Sequence, residues 1–311
     1  MMPFQPEITV RALLPTDASS LRDVLNANLL TVPYSAPFTL EMVEEQILQE
    51  DPPTVYPVRW QQNRILDAWR AGQLVGFADI AGGQDSASEL LADYEPIGLL
   101  RFLALPAEPT LVDEAGEKLL RAAEGAWRSA GIGRVKAFHL STGYPSVQAG
   151  AGLLAGEMAD QFRLLTGHDY QLIARYYALR RRLQNLVEEE APMADLSLVH
   201  RGDSRDRRYE IYRRRAERVA EARIVRAALD TMTPPRRIAH LTHIWVTPDW
   251  RHHNLGRWLL RRVLNDATLQ EYDEVIAYAP VELHIARTLL VQQGFEELNY
   301  RGYVLEKTFH D

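Results

Sequence analysis

The clearest structural signals in the sequence lie in one stretch, IWVTPDWRHHNLGRWLL at residues 244–260. An apolar strand is predicted to end at Val246, and after a short loop a helix is predicted to begin near Leu255. Such a loop can direct several backbone N–H groups at one point, where the helix N-terminus adds partial positive charge. Asn254 is the non-glycine residue type that best tolerates positive φ, and Gly256 permits a close backbone approach. The stretch therefore predicts a phosphate-binding loop.

A second copy of this unit is visible earlier in the sequence. GEKLL at residues 116–120 recurs as GRWLL at 256–260, and Gly167-His168 recurs as Gly294-Phe295. Several elements that recur in one order indicate a structural repeat. We predict two copies of one α/β unit. The predicted domains are 1–182 and 196–311, with a polar linker at 183–195.

The predicted elements differ between the two copies. The first copy is predicted to contain a hairpin around Ala71-Gly72 and one long helix over 147–165, from their apolar patterns. In the second copy the arginine-rich segment 205–229 is predicted as a helix or helix pair. That assignment leaves no room for a hairpin before the strand predicted at 238–246. The missing hairpin is then either lost or replaced by surface from the neighbouring copy.

The loop resembles the pyrophosphate loop of the Gcn5-related N-acetyltransferase superfamily. That loop follows a Val-x-Pro strand end and reads Arg or Gln, two residues, Gly, one residue, Gly or Ala. Arg251, Asn254 and Gly256 occupy the three marked positions, although Asn254 departs from the family's glycine. The family's later Gly-Phe signature is matched by Gly294-Phe295. The resemblance implies an α/β fold with a mixed sheet, present as two tandem domains of this acyltransferase type.

The resemblance also implies acetyl-CoA as co-substrate, bound by the second copy without a metal. In the first copy, Asp113 and Glu114 lie where a pyrophosphate would bind, and like charges repel an anion. The first copy is therefore expected not to bind CoA in the usual way, and to act as scaffold or as part of the substrate groove. The residues expected to contact acetyl-CoA are Ile244, Trp245, Val246, Arg251, His252, His253, Asn254, Leu255, Gly256 and Arg257.

His240 is the candidate general base. It lies on the predicted strand at a position where family members commonly carry a catalytic Glu or His, and an imidazole accepts a proton near neutral pH. Strict alternation along the strand predicts that His240 shares a face with Ile244 and Val246, and that His243 points to the other face. A metal site of His240 and His243 is therefore not expected. The alternative is a histidine satisfied by backbone in the core or groove wall.

Two tyrosines are candidates for protonating the leaving thiolate. The family's usual tyrosine for this role falls on Leu290, and the asparagine that often contacts the cofactor falls on Leu283, and both residues are apolar. Tyr278 or Tyr300 is expected to substitute. The alternative is that each is an aromatic residue packed in the core.

Composition limits the classes of function. A net charge of −7 argues against a general nucleic-acid binder, and the absence of cysteine excludes disulfides, thiolate metal sites and a cysteine nucleophile. No stretch reaches the roughly 18 to 20 apolar residues of a membrane-spanning helix. We expect a cytoplasmic protein without nucleic-acid or membrane partners, and the sequence leaves open whether it forms a homodimer.

The sequence thus predicts an acetyl-CoA-dependent N-acetyltransferase. The acetyl group would pass directly from CoA to an amine of a small molecule or peptide, with the chemistry in the second copy. The alternatives are a catalytically silent acyl-CoA-binding protein and a structural or interaction protein. The arginines from 201 to 226 are open to several interpretations: a site for nucleic acid, for an acidic substrate or for the CoA 3′-phosphate, or a solvated face with ion pairs.

Overall fold

The computed structural model describes residues 6–56, 58–86 and 94–309. Within these ranges the chain forms two compact units. The first contains the residues up to Arg175 together with those from Gly302 onward, and the second contains Tyr176–Arg301. Both units combine helices with a mixed sheet, so the predicted fold class is confirmed.

The first unit packs helices against a sheet with the strand order β1-β2-β3-β4-β5. Its strands are β1 (Thr9–Ala12), β2 (Gln62–Arg70), β3 (Gln73–Ser86), β4 (Tyr94–Ala104), β5 (Arg134–Ala137) and β6 (Leu154–Ala155). Its helices are α1 (Ala18–Leu29), α2 (Leu40–Gln46), α3 (Val112–Ser129) and α4 (Ala159–Gly167). Neighbouring strands are antiparallel except for the parallel pair β4–β5. The predicted hairpin around Ala71-Gly72 is confirmed as β2 and β3.

The helix predicted over 147–165 is wrong for most of its length. The segment forms a short 3-10 turn at Gln148–Gly150, then β6, and becomes α-helical only from Ala159. A Cβ added to Gly152 would lie 2.3 Å from the carbonyl oxygen of His139. This close backbone approach holds the segment in an extended path, and the periodicity of its apolar residues does not reveal it.

The second unit has the strand order β7-β12-β11-β10-β9-β8. Its strands are β7 (Gln171–Arg182, from Tyr176 onward), β8 (Leu196–Gly202), β9 (Asp206–Arg213), β10 (Glu217–Arg226), β11 (Ile238–Val246) and β12 (Glu274–Pro280). Its helices are α5 (Leu255–Leu269) and α6 (His284–Gln292), and β13 (Glu296–Thr308) follows. Only β11 and β12 are parallel. Buried apolar residues of α5 pack with those of β11 and β12 to form one core.

Strand pairing sets the limits of the two units. Residues 176–182 of β7 pair with β12, and so belong to the second unit. Residues 302–308 of β13 pair with β6 and β5, and so belong to the first. The units therefore divide the chain after Arg175 and after Arg301, whereas the sequence places a linker at 183–195.

The helix predicted over 205–229 is wrong. This segment forms the hairpin of β9 and β10, so the expectation that the second copy has no room for a hairpin is wrong as well. Buried residues recur at every second position, as Tyr209 and Ile211 on β9 and as Ala222 and Ile224 on β10. Arg218 and Arg223 form ion pairs with acids of the neighbouring strand or of their own strand, rather than within a helix.

The second unit has fewer helices than the first in the part of the chain that precedes its site. In the first unit, α1 and α2 separate β1 from β2. In the second unit, β8 leads into β9 through residues 203–205 alone, and the described chain from 196 to 246 contains no helix. None of the helices in the described ranges has the length and apolar character needed to cross a membrane.

Candidate functional site

Strands β11 and β12 part from each other in the second unit. Their parallel pairing ends at Leu241 and Ala277. Beyond that point β12 remains paired with β7 as far as Pro280, and β11 remains paired with β10 as far as Val246. Because each strand stays attached to its other neighbour, a wedge opens between them. The second half of β11 lines one side of this wedge with a backbone edge that is not paired to β12.

A β-bulge in β11 lies where the strands part. The register with β10 shifts by one position, which leaves Thr242 as the extra residue. The bulge moves the alternation of faces by one residue, so Ile244 and Val246 pack against the same apolar core as Leu241. The expectation that Ile244 and Val246 share a face with His240 is therefore wrong. The bulge breaks the strict alternation of faces, and the sequence did not predict it because the bulge has no local sequence signal here.

The loop after β11 ends in a left-handed residue at the start of α5. Asn254 has φ +61°, as its residue type predicts, and its carbonyl accepts the backbone N–H of Trp258 at 3.0 Å. The N–H groups of residues 255–257 precede the first intrahelical bond and have no acceptor within the helix. The Asn254 side chain makes no capping hydrogen bond to them. The mouth of the wedge therefore offers backbone donors to an anion.

The loop side chains face solvent, whereas its apolar anchor does not. Exposed side chains are those of Arg251, His252, His253, Asn254 and Arg257, whereas Leu255 is 1% exposed. The Arg251 Nε donates to the Val246 carbonyl at 3.3 Å, and the His253 Nδ1 lies 2.8 Å from the Arg251 carbonyl. Leu255, one of the residues predicted to contact acetyl-CoA, thus has its side chain packed in the apolar core, where it holds the loop in place. Ile244 and Val246 are half-buried, and Trp245 is 37% exposed.

Gly256 allows a close approach within the unit itself. A Cβ added there would lie 3.4 Å from Leu289 Cδ2 and 3.6 Å from Val246 Cγ2. These are distances at or near ordinary van der Waals contact, so alanine fits at this position. A longer side chain would enter the space between β11 and α6.

The three predicted catalytic residues lie in one cluster. The ring centroids of His240 and Tyr278 are 5.3 Å apart at an interplanar angle of 80°, and those of Tyr278 and Tyr300 are 6.0 Å apart at 68°. These are edge-to-face contacts. His240 and Tyr300 are buried, whereas Tyr278 is half-buried. Tyr278 directly follows Ala277, the last residue of β12 that pairs with β11, so the cluster lies where the wedge begins.

Other residues singled out in the sequence lie apart from this cluster or bring no polar atom to it. The His243 side chain is 45% exposed, and its Nε2 lies 3.0 Å from a Glu221 carboxylate oxygen. Leu290 is 3% exposed in the apolar core, and Leu283 is 55% exposed just before α6. Among the described residues, no group of three or more histidines and carboxylates could hold a metal ion.

The first unit has the same strand divergence, but its own side chains fill it. Pairing of β4 with β5 ends at Leu100 and Ala137. Beyond that point the Asn28 side chain exchanges two hydrogen bonds of 3.0 Å with the backbone of Leu105. The Gln161 Nε2 donates to the Leu103 carbonyl at 3.3 Å. No local signal in the sequence identifies these two side chains, because each lies more than fifty residues from the backbone it contacts.

The helix start in the first unit differs as well. A Cβ on Gly116 would lie 2.4 Å from Leu164 Cδ1, so α4 packs directly against α3 at this point. The Asp113 carboxylate accepts a hydrogen bond from Arg163 at 2.6 Å, and Glu114 accepts one from the backbone of Ile8. Internal partners thus already engage both carboxylates at the position where the second unit exposes free N–H groups.

Similar chains are found among solved structures. The sequence matches no protein-family profile and no curated protein. A tandem GNAT protein from the clavulanic acid biosynthesis pathway superposes with a TM-score of 0.69 at 13% identity, covering 98% of this chain and 99% of that chain. A GCN5-related N-acetyltransferase from Sphaerobacter thermophilus gives 0.63 at 10% identity, covering 98% and 96%.

A glucosamine N-acetyltransferase region of a fungal multi-domain β-N-acetylglucosaminidase gives a TM-score of 0.72 at 11% identity, covering 98% of this chain and 38% of that chain. At these identities the likeness is one of fold. The chain has the tandem fold of the Gcn5-related N-acetyltransferases, as its sequence predicts.

Proposed function

We propose that this chain is an acetyl-CoA-dependent N-acetyltransferase whose chemistry takes place in the second unit. One observation carries the proposal: a wedge between β11 and β12 has the His240–Tyr278–Tyr300 cluster at its apex and the open N-terminus of α5 at its mouth. The similarity of fold to known N-acetyltransferases supports the same reaction class. The acceptor is an amine of a small molecule or peptide.

The residues at the wedge suit an acyl-CoA. The N–H groups of residues 255–257 would bind the pyrophosphate, with the exposed Arg251 and Arg257 adding positive charge. The free backbone edge of β11 after Thr242 would pair with the amide groups of the pantetheine arm. The thioester supplies an activated acyl carbonyl when bound. The exposed part of the half-buried side chains of Ile244 and Val246 would exclude water from the thioester.

The protein's own groups then handle two protons. The acceptor amine must lose a proton as its nitrogen forms the new C–N bond, and His240 is the group that accepts this proton. Because His240 is fully buried, the proton reaches it through a water molecule. The C–S bond breaks, and the departing sulfur takes a proton from the hydroxyl of Tyr278 or Tyr300. No covalent enzyme intermediate is required, because both reactants are held together in the wedge.

Calorimetric titration with acetyl-CoA tests the binding step. The wild type is expected to bind one acetyl-CoA per chain. Gly256→Glu is expected to abolish binding, because it places a negative charge and a bulky chain at the phosphate loop. Gly256→Ala is the matched control, since its Cβ is accommodated, and it should bind within about threefold of wild type. A wild type that does not bind acetyl-CoA would overturn the proposal.

A catalytically silent acyl-CoA-binding protein is the second candidate function. The observation that favours it is the pair of leucines, Leu283 and Leu290, at positions where the family usually carries polar groups. Release of free CoA thiol in the presence of a panel of amines separates the two functions. An enzyme releases thiol only with an accepted amine. A silent binder would titrate with acetyl-CoA yet release no thiol with any member of the panel.

We further propose that the first unit does not bind CoA. Its strand opening is occupied by Asn28 and Gln161, and its helix start carries Asp113 and Glu114. A calorimetric stoichiometry of one supports this assignment, and a stoichiometry of two would contradict it. The role left to this unit is that of scaffold or of part of the acceptor groove.

A further inference from the structure

The turn between β9 and β10 carries two arginines in an unusual conformation. Arg214 has φ +46° and Arg215 has φ +58°, both in the left-handed region, and both side chains are exposed. The equivalent turn of the first unit, between β2 and β3, uses Ala71 and Gly72. An L-residue other than glycine in this region costs on the order of 1 kcal/mol. The second unit thus keeps two arginines where Asn or Gly would fit the backbone better.

Trp250 fastens this turn beside the phosphate loop. The Arg213 guanidinium lies 4.8 Å from the centroid of the Trp250 ring, and the His253 ring lies 5.7 Å from the same ring. The indole Nε1 donates to Glu217 at 3.2 Å. Trp250 therefore contacts the first residue of β10, the last residue of β9 and the loop itself. Arg214 and Arg215, which directly follow Arg213, therefore lie beside the exposed side of the loop.

The charge at this turn is positive. Asp195 is shared by Arg213 at 3.1 Å and by Arg214 at 3.8 Å, so one carboxylate faces two guanidinium groups. Arg215 adds a third cation to the turn. Three-quarters of the Arg214 side chain is exposed, which leaves most of its donors open to a ligand.

We propose that Arg214 and Arg215 bind the 3′-phosphate of CoA and make the site selective for CoA over its 3′-dephospho form. The inference rests on the proposed function, which puts the pyrophosphate at the start of α5. The 3′-phosphate is the remaining phosphate of CoA, separated from the pyrophosphate by one ribose. A guanidinium matches it well, because it presents parallel N–H donors to two phosphate oxygens. The arginines thus serve as a specificity contact and do not touch the reacting atoms.

Calorimetry with acetyl-CoA and 3′-dephospho-acetyl-CoA, on the full chain, tests this proposal. The wild type is expected to bind acetyl-CoA about tenfold more tightly than the dephospho form, the range of charge-assisted hydrogen bonds to phosphate. Arg214→Asn combined with Arg215→Gly removes both charges and leaves residues that tolerate positive φ. This variant should bind the two ligands within about twofold of each other, with its affinity for the dephospho form unchanged. Arg208→Asn, an exposed arginine in the middle of β9, is the matched control and should keep the tenfold preference.

The outcomes separate this inference from the proposed function. Equal affinity of the wild type for both ligands overturns the role of the turn and leaves the acetyltransferase proposal standing. Absence of binding to either ligand overturns the proposed function itself. An equal loss of affinity for both ligands in the double variant shows that the turn supports the loop structurally, which also overturns the 3′-phosphate contact.

Discussion

Tyr278 stands edge-on to His240 with the ring centroids 5.3 Å apart, at the position where β11 and β12 cease to pair. One partner is fully buried and the other is half-buried. The pair therefore joins the interior of the second unit to the wedge. This position is the one that the proposed roles of His240 and Tyr278 require, and the next two experiments test those roles.

Replacing the histidine tests its role as base. His240→Gln is expected to lower kcat by about 10²- to 10⁴-fold, the contribution typical of a positioned general base, with acetyl-CoA affinity unchanged. Steady-state kinetics with an accepted amine, together with calorimetry, provide the two readouts. His243→Gln is the matched control, because His243 is half-exposed and paired with Glu221, and its kcat should stay within about twofold. Equal turnover in His240→Gln and wild type would refute the assignment.

Removing single hydroxyl groups distinguishes the two tyrosines. Tyr278→Phe and Tyr300→Phe both keep the edge-to-face ring packing, so both variants should fold, and thermal unfolding checks this. The variant that lacks the thiolate acid should lose about tenfold or more in kcat with a thioester of high thiol pKa. A more acidic thiol as leaving group should restore the rate of that variant. If neither variant loses activity, both tyrosines are packing residues.

The buried carboxyl group of Asp67 in the first unit should make the free energy of unfolding depend on pH. Burial, with a smaller contribution from the Asp17 carboxylate, raises the pKa of Asp67 to about 7 against the opposing effects of Arg11 and of a hydrogen bond from Trp69. The pKa of Asp67 is higher in the folded state than in the unfolded state. Its contribution to the free energy of unfolding is therefore fully present below about pH 4 and is lost as pH rises through about 7.

Asp67→Asn removes this titration. Its free energy of unfolding, relative to wild type, should increase between about pH 4 and pH 8 by as much as about 4 kcal/mol, three pKa units at 1.36 kcal/mol each. Urea denaturation at several pH values measures the difference. A difference that is constant across this window would show that the Asp67 pKa is not raised.

The two repeat glycines are expected to respond oppositely to alanine. Gly116→Ala would bring its Cβ within 2.4 Å of Leu164 Cδ1, so we expect destabilisation by about 1–3 kcal/mol. Gly256→Ala meets nothing closer than 3.4 Å, and the higher helix propensity of alanine should stabilise by up to about 1 kcal/mol. Thermal unfolding of both variants measures the contrast. Equal destabilisation would show that the two helix starts are packed alike.

The amino-acid sequence was sufficient for the parts of the site that are local in the chain. The end of β11, the left-handed Asn254 and the start of α5 follow from residue types within one short stretch. The repeat and the tandem fold follow from the recurrence of such stretches. These features are predictable because backbone preferences and hydrophobic periodicity act between residues close in sequence.

Tertiary structure decided the rest. The arginine-rich segment 205–229 is predicted from its sequence as a helix or helix pair, but it forms two strands because β9 and β10 pair with each other and with their neighbours. The bulge at Thr242 shifts the register between β10 and β11 by one residue, and so changes which side chains share a face. His240 and Tyr300 each contact Tyr278 from strands that lie far apart in the chain, and Asn28 reaches Leu105 across a similar separation in the first unit. Contacts of this kind depend on strand register and packing, which no single stretch of sequence specifies.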